Sequence, residues 1–262
     1  MLKQVIGHIS LKAFLGLTFL FITTLLISVV YHLPVSWLVS QSNLQEKLSP
    51  NIKISSNEGT LWQGSVQLLT PNPVGKISWD LSFWSLITGQ VVAQSLWQKE
   101  QSHIRSHIQM PLFSDATELN VSEGYGEMSL PLLIKLINNP ELNGMPIEGS
   151  LRLEDLRLLA DLQSEWPSVL TGQLTLNQLS VLGNAFPPIT IKPELDSNKI
   201  TFRVSGQGNA WAISGQVEVF KNRQYNTRLK VTAESEQAMP HWAALLQKQG
   251  PLAAVLNDRG RW

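Results

Sequence analysis

The histidines are the residues of this sequence best suited to metal binding or acid–base chemistry, because cysteine is absent. Among the five, His103 and His107 are four positions apart, a spacing that would bring both rings to one side of a helix and let them share a metal ion. The residues around them are typical of a strand, however, and in a strand this spacing separates the two side chains by roughly 13 Å. No nearby acidic residue completes a ligand set. The pattern therefore predicts two exposed strand histidines and no metal site.

Carboxylates and short motifs predict no catalytic group either. Asp155, Asp161 and Glu165 lie near a predicted turn, where a solvated surface explains them better than paired carboxylate catalysis. The sequence has no Gly-x-Ser-x-Gly motif, phosphate loop, His-Glu-x-x-His motif or dinucleotide glycine fingerprint. The glycines of Gly206–Asn209 fall between two strand patterns and predict a hairpin turn. We therefore expect no catalytic, cofactor-binding or metal-binding residue, and a protein that is not an enzyme.

The charge balance argues against nucleic-acid binding. The 262 residues include 20 Lys and Arg and 20 Asp and Glu. Because Lys3 and Lys12 are the only charged residues among the first 32, the remaining 230 residues carry 18 basic and 20 acidic side chains, a net charge of −2. Such a chain has no basic face for a phosphate backbone. The absence of cysteine also excludes disulfide bonds, so the stability of the body must come from its core alone.

The longest apolar run of the chain predicts a membrane anchor. Ala13–Tyr31 has nineteen residues without a charge and as a helix would span roughly 28 Å, about the hydrocarbon thickness of a bilayer. The run is longer than the apolar core of a signal peptide, and no Ala-x-Ala cleavage pattern follows it. Lys3 and Lys12 precede it and Glu46 is the next charged residue, so the positive-inside rule places residues 1–12 in the cytoplasm.

Most of the remaining chain has the period-two alternation of β-strands. The alternation is clearest where Ile77, Trp79, Leu81 and Phe83 share one face and polar residues the other. Similar short runs, separated by turns rich in Gly and Asn, continue along the chain and predict an antiparallel meander. Five large aromatics of the strand patterns are expected to fill a core or a groove: Trp62, Trp79, Phe83, Phe202 and Trp211.

Three segments are predicted to be helical in addition to the anchor. A linker over residues 32–50 includes a short helical stretch at Trp37–Leu48, and Pro131–Asn139 and Met239–Leu256 interrupt the β pattern. The fold class is therefore mainly β, with one N-terminal transmembrane helix and an antiparallel β-rich domain over residues 51–262. Short helices are expected near the middle of that domain and at its C-terminus.

A Gly-polar-apolar-polar-apolar pattern recurs along the body. It begins at Gly64, Gly75, Gly149, Gly172 and Gly215. Each of these glycines is expected to open a strand after a turn or bulge. Two similar halves, residues 51–140 and 145–262, each ending in a short helix, are therefore an alternative to one continuous domain.

An ordered set of motifs links the chain to a known family. The motifs are Gly59–Gly64, Gly75–Leu81, Ala210–Gly215, Thr232–Ser235 and a terminal helix around Ala243–Leu246 with Gly250. In this order and spacing, and with the anchor before them, the chain resembles the protein N family of the bacterial type II secretion system, also called the general secretion pathway. The resemblance covers nearly the whole chain.

The resemblance implies a single-pass inner-membrane protein with a cytoplasmic N-terminus and a periplasmic β-rich domain. It also implies an accessory, non-catalytic component of the machinery that exports folded proteins from the periplasm across the outer membrane, with energy supplied by an ATPase in another subunit. The implied partners are other inner-membrane subunits of that machinery. The family has no accepted catalytic residues, so the resemblance carries no site residue and no cofactor to this sequence.

Two other functions remain open on the residues alone. A periplasmic lipid- or lipopolysaccharide-handling protein would shield acyl chains on an anchored, curved sheet, and alternating strands such as Ile77–Phe83 and Ile200–Val204 would suit it. An exported hydrolase would need polar residues that converge in a pocket, and the sequence offers no triad. For docking, the candidate surfaces are the polar edges of the sheet and Met239–Leu256.

Overall fold

The computed structural model describes residues 11–37, 53–69, 73–112, 118–137, 142, 144–161 and 166–261. Helices α1 (Leu11–Tyr31), α2 (Phe83–Ile87) and α3 (Leu130–Ile137) lie outside the β-strands, as do two 3₁₀ helices at Glu236–Ala238 and His241–Leu245. The strands are β1 (Lys53–Gly59), β2 (Gln63–Leu69), β3 (Pro73–Leu81), β4 (Gln90–Lys99), β5 (Ser102–Pro111), β6 (Glu118–Ser129), β7 (Ile147–Asp161), β8 (Pro167–Val181), β9 (Asn184–Ala185), β10 (Ile189–Leu195), β11 (Lys199–Gln207), β12 (Trp211–Phe220), β13 (Gln224–Ala233), β14 (Gln247–Lys248) and β15 (Ala253–Arg261).

All fifteen described strands belong to one antiparallel sheet. Each strand pairs with the next in sequence from β1 to β8 and from β10 to β13, and β10 lies beside β8. The two-residue strand β9 pairs with the end of β8. At the C-terminal edge β15 pairs with β13, and the short β14 lies outside β15. The predicted mainly β, antiparallel meander is therefore confirmed.

The strand register gives the sheet one apolar face and one polar face. Ile77 lies opposite Val66 on β2 and opposite Trp97 on β4, and near the middle of the sheet Leu153 lies opposite Leu174. Similar apolar pairs continue to β15, whereas Lys, Arg, Glu, Gln and Ser occupy the intervening positions. Side chains of a strand alternate between the two sides of its sheet, so pairing shifted by one residue would place apolar side chains on the polar face.

The apolar face is most completely buried near the C-terminal end of the sheet. Ile189, Ile213 and Val231 form a buried cluster, and Val231 is only 1% exposed. The 3₁₀ helix His241–Leu245 covers this cluster and contributes Trp242. Burying an aliphatic side chain of this size contributes roughly 1.5–3 kcal/mol to stability, so this cluster is the main core of the described body.

Gly215 lies inside a strand with no register shift beside it, so the prediction that each recurrent glycine opens a strand after a turn or bulge is wrong there. Gly215 is in the middle of β12 with φ +152°, and a Cβ there would collide with the carbonyl oxygen of Arg228 on the neighbouring strand. Close approach of two backbones, and not a turn, requires glycine at this position. Gly149 and Gly172, by contrast, each lie at a register shift between β7 and β8, which confirms the predicted bulges there.

Three predictions on local structure are corrected. The strand that contains Ile77 ends at Leu81, and Phe83 begins helix α2. The helical spacing of Met239–Leu256 produces only a five-residue 3₁₀ helix, after which β14 and β15 extend the sheet because the edge of β13 offers a ladder of backbone partners. Asp155 lies in a bulge inside β7, with φ +47°, and not near a turn.

Other predictions fall outside the described residues or remain predictions. Of the helical stretch predicted at Trp37–Leu48, only Trp37 is among the described residues. Glu165 also lies outside the described residues. Helix α3 confirms the helix predicted at Pro131–Asn139 over the residues that are described there. Within the part of the chain that the structure describes, no helix is long enough and apolar enough to cross a bilayer. The division at residues 140–145 also stays a prediction, and β6 pairs with β7 across it.

Candidate functional site

Trp62 joins the end of helix α1 to the sheet. Only 5% of its surface is exposed. Its indole Nε1 donates a hydrogen bond of 3.1 Å to the carbonyl oxygen of Val30, in the last turn of α1. Its ring stacks on Tyr31 at 6.5 Å between centroids and makes an edge contact with Phe83 at 5.2 Å. A buried tryptophan whose N–H is satisfied combines large apolar contact with a fixed orientation, so it fastens the helix end to the first strands.

Backbone contacts reinforce this attachment. The Leu61 amide donates to the carbonyl oxygen of Leu33 at 2.8 Å, and Pro34 forms an isolated antiparallel bridge with Thr60. Val35, one residue further along, is 1% exposed. The segment that follows α1 is therefore paired with the turn between β1 and β2, in addition to the packing of Trp62.

The Gly59–Gly64 motif explains how these contacts fit. Gly59 has φ +88°, and the Thr60 amide donates to the carbonyl oxygen of Gln63 at 2.9 Å, which closes a tight turn that presents Trp62 to the helix. A Cβ on Gly64 would lie 2.5 Å from the Val35 side chain and 2.8 Å from the Trp79 ring. We call the set of residues 30–35 and 59–64, with Trp79 and Phe83, the helix–sheet junction.

Helix α2 places exposed apolar side chains beside this junction. Phe83 contacts both Trp62 and Trp84, with 5.9 Å between the Phe83 and Trp84 ring centroids. Trp84 is 75% exposed and Ile87 is 65% exposed. Trp84 and Ile87 are therefore exposed apolar side chains on a short helix that begins in the junction.

A second aromatic group closes the opposite end of the apolar face. Phe186 stacks on Trp242 at 4.9 Å between centroids, and Trp211 makes edge contacts with Phe186 at 6.0 Å and with Trp242 at 5.6 Å. These rings pack against the buried cluster that contains Ile213 and Val231. Their position makes them part of the core, as predicted for Trp211.

The polar face carries ion pairs that link neighbouring strands. Lys199 on β11 contacts Glu218 on β12 at 2.6 Å, and Asn226 on β13 donates to the same carboxylate at 2.9 Å. The hydrogen bond from Lys199, and then that from Asn226, lowers the pKa of Glu218, while the hydrogen bond with Glu218 raises the pKa of Lys199. These contacts hold three strands together and do not enclose a reaction centre.

The two histidines first considered as metal ligands lie on the polar face. His103 and His107 lie on the same strand, β5, as predicted. His107 is half-buried, however, and its Nδ1 is 3.9 Å from a carboxylate oxygen of Glu123, a partner that the sequence did not indicate. Asp155 pairs locally with Arg157 at 3.4 Å. Among the described residues, no three His, Cys, Asp or Glu side chains are grouped so that they could hold a metal ion.

The fold and these sites define a class of protein: a long antiparallel β-meander fastened to an apolar helix. The family model described as "Type II secretion system (T2SS), protein N" matches residues 50–251. The chain therefore belongs to the type II secretion system protein N family, as its resemblance to that family predicted.

One curated relative is the type II secretion system protein N of Vibrio cholerae. It is 36% identical to this chain over 85 residues, which is 32% of this chain and 32% of the relative. The alignment thus spans about a third of the relative's length. No solved structure matches the chain.

Sequence reasoning found the Gly59–Gly64 motif but not its purpose. The contact between Trp62 and Val30 joins residues 32 positions apart, and no local pattern predicts it. A dense Gly-Thr-Leu-Trp-Gln-Gly sequence between two strands was nevertheless a usable signal, because two glycines around a tryptophan indicate a tight turn that presents a large side chain.

Proposed function

We propose that this protein is an accessory, non-catalytic component of the type II secretion machinery that helps export folded proteins from the periplasm across the outer membrane. In this proposal α1 crosses the inner membrane once, residues 1–12 lie in the cytoplasm and the sheet lies in the periplasm. The observation that carries the proposal is the helix–sheet junction, because it would hold the sheet at a fixed position where the helix leaves the membrane.

Several features support this arrangement. Phe19, Leu20 and Phe21 on α1 are largely exposed within the described chain, as expected of side chains that contact lipid. Trp84 is exposed and contacts Phe83 of the junction, where an interfacial aromatic would lie. Lys3 and Lys12 precede the apolar run, which favours a cytoplasmic N-terminus.

The role is proposed to depend on protein contacts with other inner-membrane subunits of the secretion system. The charged and polar side chains of the polar face are distributed over several strands, which suits a surface for docking. Glu218 on this face is paired with Lys199.

A deletion strain tests the proposed function. Loss of this protein should lower the fraction of a type II substrate enzyme found in the medium and raise the fraction retained in the periplasm, and the wild-type gene should restore export. Because the chain has no native cysteine, a single cysteine at Ser214 on the polar face can then be crosslinked in cells. Capture of secretion subunits is expected, whereas normal export in the deletion strain together with no such capture would refute the proposal.

Lipid binding is a second candidate because the apolar face is only partly covered. Phe202, Val204 and Val217 are half-buried within the described chain, although they lie on the same face as the buried core. Such a face could hold acyl chains.

Native mass spectrometry of the purified full chain tests this second candidate. Bound lipid is expected in the wild type, and Val217→Glu on the apolar face should remove it, whereas Gln216→Glu, the adjacent residue on the polar face, should not. Absence of lipid from the wild type, or equal retention in both variants, would count against lipid binding at this face.

A further inference from the structure

The outer edge of β15 is mostly uncovered. On its inner side β15 pairs with β13 along its whole length, from Ala253 opposite Thr232 to Arg261 opposite Gln224. On its outer side the described partner β14 is only two residues long and reaches Ala254 and Val255. Beyond Val255, no described residue pairs with the outer side of β15.

The hydrogen bonds near the start of β15 determine which backbone groups point outward. The carbonyl oxygen of Leu252 accepts from Ala233 on the inner side, and that of Ala253 accepts from Gln249 on the outer side. In an antiparallel strand, successive residues direct their backbone groups to alternate sides. Asn257, Arg259 and Arg261 therefore direct their N–H and C=O groups to the uncovered edge, while the residues between them bond to β13.

The side chains along this edge are cationic. The register places Arg259 and Arg261 on the polar face of β15, on the same side as Arg228 and Lys230 of β13. Within the described chain, none of these four cations forms an ion pair. Glu218 is the carboxylate on which Arg228 acts, and it does so by charge alone, without contact. Lys199 and Asn226 are the residues that contact Glu218.

The one acidic residue of β15 faces the other way. Asp258 lies on the apolar side of the sheet and accepts a hydrogen bond from the Tyr225 hydroxyl at 3.0 Å. A ring of Tyr225 also lies so close to Gly260 that a Cβ there would be 2.6 Å away. These contacts fix β15 against β13 and leave its cationic side toward solvent.

We propose that the outer edge of β15 is a docking site for an extended segment of a partner protein that carries acidic side chains at alternate positions. The segment would add to the sheet as its next strand, with backbone hydrogen bonds to residues 257, 259 and 261 and with its acidic side chains beside Arg259 and Arg261. The proposal rests on the proposed function only in expecting such a partner among the secretion subunits.

A second copy of this chain fits the edge less well. An antiparallel pair of two β15 edges would bring the arginines of one copy close to those of the other, and like charges on adjacent strands are destabilising. The opposite edge of the sheet is also less suitable, because β1 has a register shift between Ile54 and Ser56 that interrupts its ladder.

A synthetic peptide provides the test, with the full chain purified in detergent. The probe is a labelled eight-residue peptide of alternating Glu and Val, and the matched control replaces each Glu with Lys. Fluorescence anisotropy should give a Kd about tenfold or more lower for the acidic peptide. Hydrogen exchange should then slow at the amides of 257, 259 and 261 upon binding of the acidic peptide.

Two pairs of variants separate strand addition from simple charge attraction. Asn257→Pro removes one outward N–H without changing the charge or the ladder to β13, and it should weaken binding about tenfold, whereas Asn257→Ala should change it by less than about twofold. Arg259→Glu with Arg261→Glu should abolish binding, whereas Lys192→Glu on β10 should not. The double charge variant and Lys192→Glu carry the test if Asn257→Pro fails to fold.

Two results would overturn the proposal. Equal binding of the acidic peptide to Asn257→Pro and to the wild type would mean adsorption to a cationic surface and not strand addition. No preference for the acidic peptide over the lysine peptide would mean that the arginines only protect the edge from aggregation. Neither result bears on export in the deletion strain, so failure of this inference and failure of the proposed function can be told apart.

Discussion

Gly64→Ala is the most direct perturbation of the helix–sheet junction, because it adds a single methyl group where Val35, Thr60 and Trp79 converge. The new Cβ would lie 2.5 Å from Val35 Cγ2, 2.7 Å from the Thr60 carbonyl oxygen and 2.8 Å from the Trp79 ring. Each distance is far below normal van der Waals contact, and one of the three neighbours is backbone. Gly64 does not have a positive φ, so the substitution acts by steric overlap and not by backbone strain.

The expected cost follows from overpacking. Adding a methyl group to a well-packed site typically costs about 1–3 kcal/mol, since neighbouring groups must shift. For a body of roughly 200 residues, each kcal/mol lowers Tm by about 2–4 °C. Gly64→Ala should therefore lower Tm by about 2–12 °C.

Thermal unfolding of the full chain in detergent, followed by tryptophan fluorescence, measures this effect. Gly144→Ala is the matched control, because a Cβ at Gly144 meets no atom of the described residues within 4 Å and should leave Tm nearly unchanged. Hydrogen exchange at the Leu61 amide, which bonds to Leu33 in the junction, should become faster in Gly64→Ala only. Equal Tm values for Gly64→Ala and the wild type, with Leu61 still protected, would refute the described packing of the junction.

Three further predictions address other parts of the structure. Trp62→Ala should cost roughly 3–5 kcal/mol in free energy of unfolding, because it empties a buried site, and a urea midpoint equal to that of the wild type would contradict this. The pKa of Glu218 is held below its ordinary value of 4.5, so its ion pair with Lys199 stabilises the fold above pH 4.5 and is lost as the pH falls through the lowered pKa. Glu218→Gln should therefore be less stable than the wild type at pH 7, and the difference should shrink in urea titrations at progressively lower pH. A difference that does not shrink would argue against this ion pair. Trp84→Ala should change stability by less than about 0.5 kcal/mol, since the ring is exposed. In a variant that lacks residues 1–29 and so keeps the junction, Trp84→Ala should lower binding to anionic lipid vesicles in a flotation assay, and unchanged flotation would argue against an interfacial role of α2.

The sheet could be predicted from sequence to a large extent because its strands are amphipathic. The alternation around Ile77 and Trp79 gives both the strand and the face it buries, and the same pattern from Ile200 to Val204 holds for β11. Alternation does not determine where a strand stops: it continues through Phe83, although the strand ends at Leu81 and a helix begins.

The C-terminal part of the chain could not be predicted because tertiary pairing overrides local spacing there. Met239 and Trp242 have helical spacing and do pack on the core, but Gly250 and Pro251 break the segment. The following residues then form β15, since pairing with the exposed edge of β13 satisfies more backbone groups than a short isolated helix could. The sequence pointed to the edges of the sheet as docking surfaces, but it did not show that β15 forms one of those edges.

The site itself was the least predictable part. The junction depends on contacts between Val30 and Trp62 and between Leu33 and Leu61, each far apart in sequence. The Gly59–Gly64 motif was recognised from sequence only as a mark of the family, and only the fold shows that it forms a turn at the end of α1.

Cysteine labelling in intact cells tests the central claim, that α1 holds the sheet on the periplasmic side of the inner membrane. Single cysteines at Ser10 and at Ser214 can be introduced into a chain that has none of its own. A maleimide that crosses the outer but not the inner membrane should label position 214 in intact cells and position 10 only after the inner membrane is permeabilised. Labelling of position 10 but not of position 214 in intact cells, or recovery of the protein in the soluble fraction, would contradict this account.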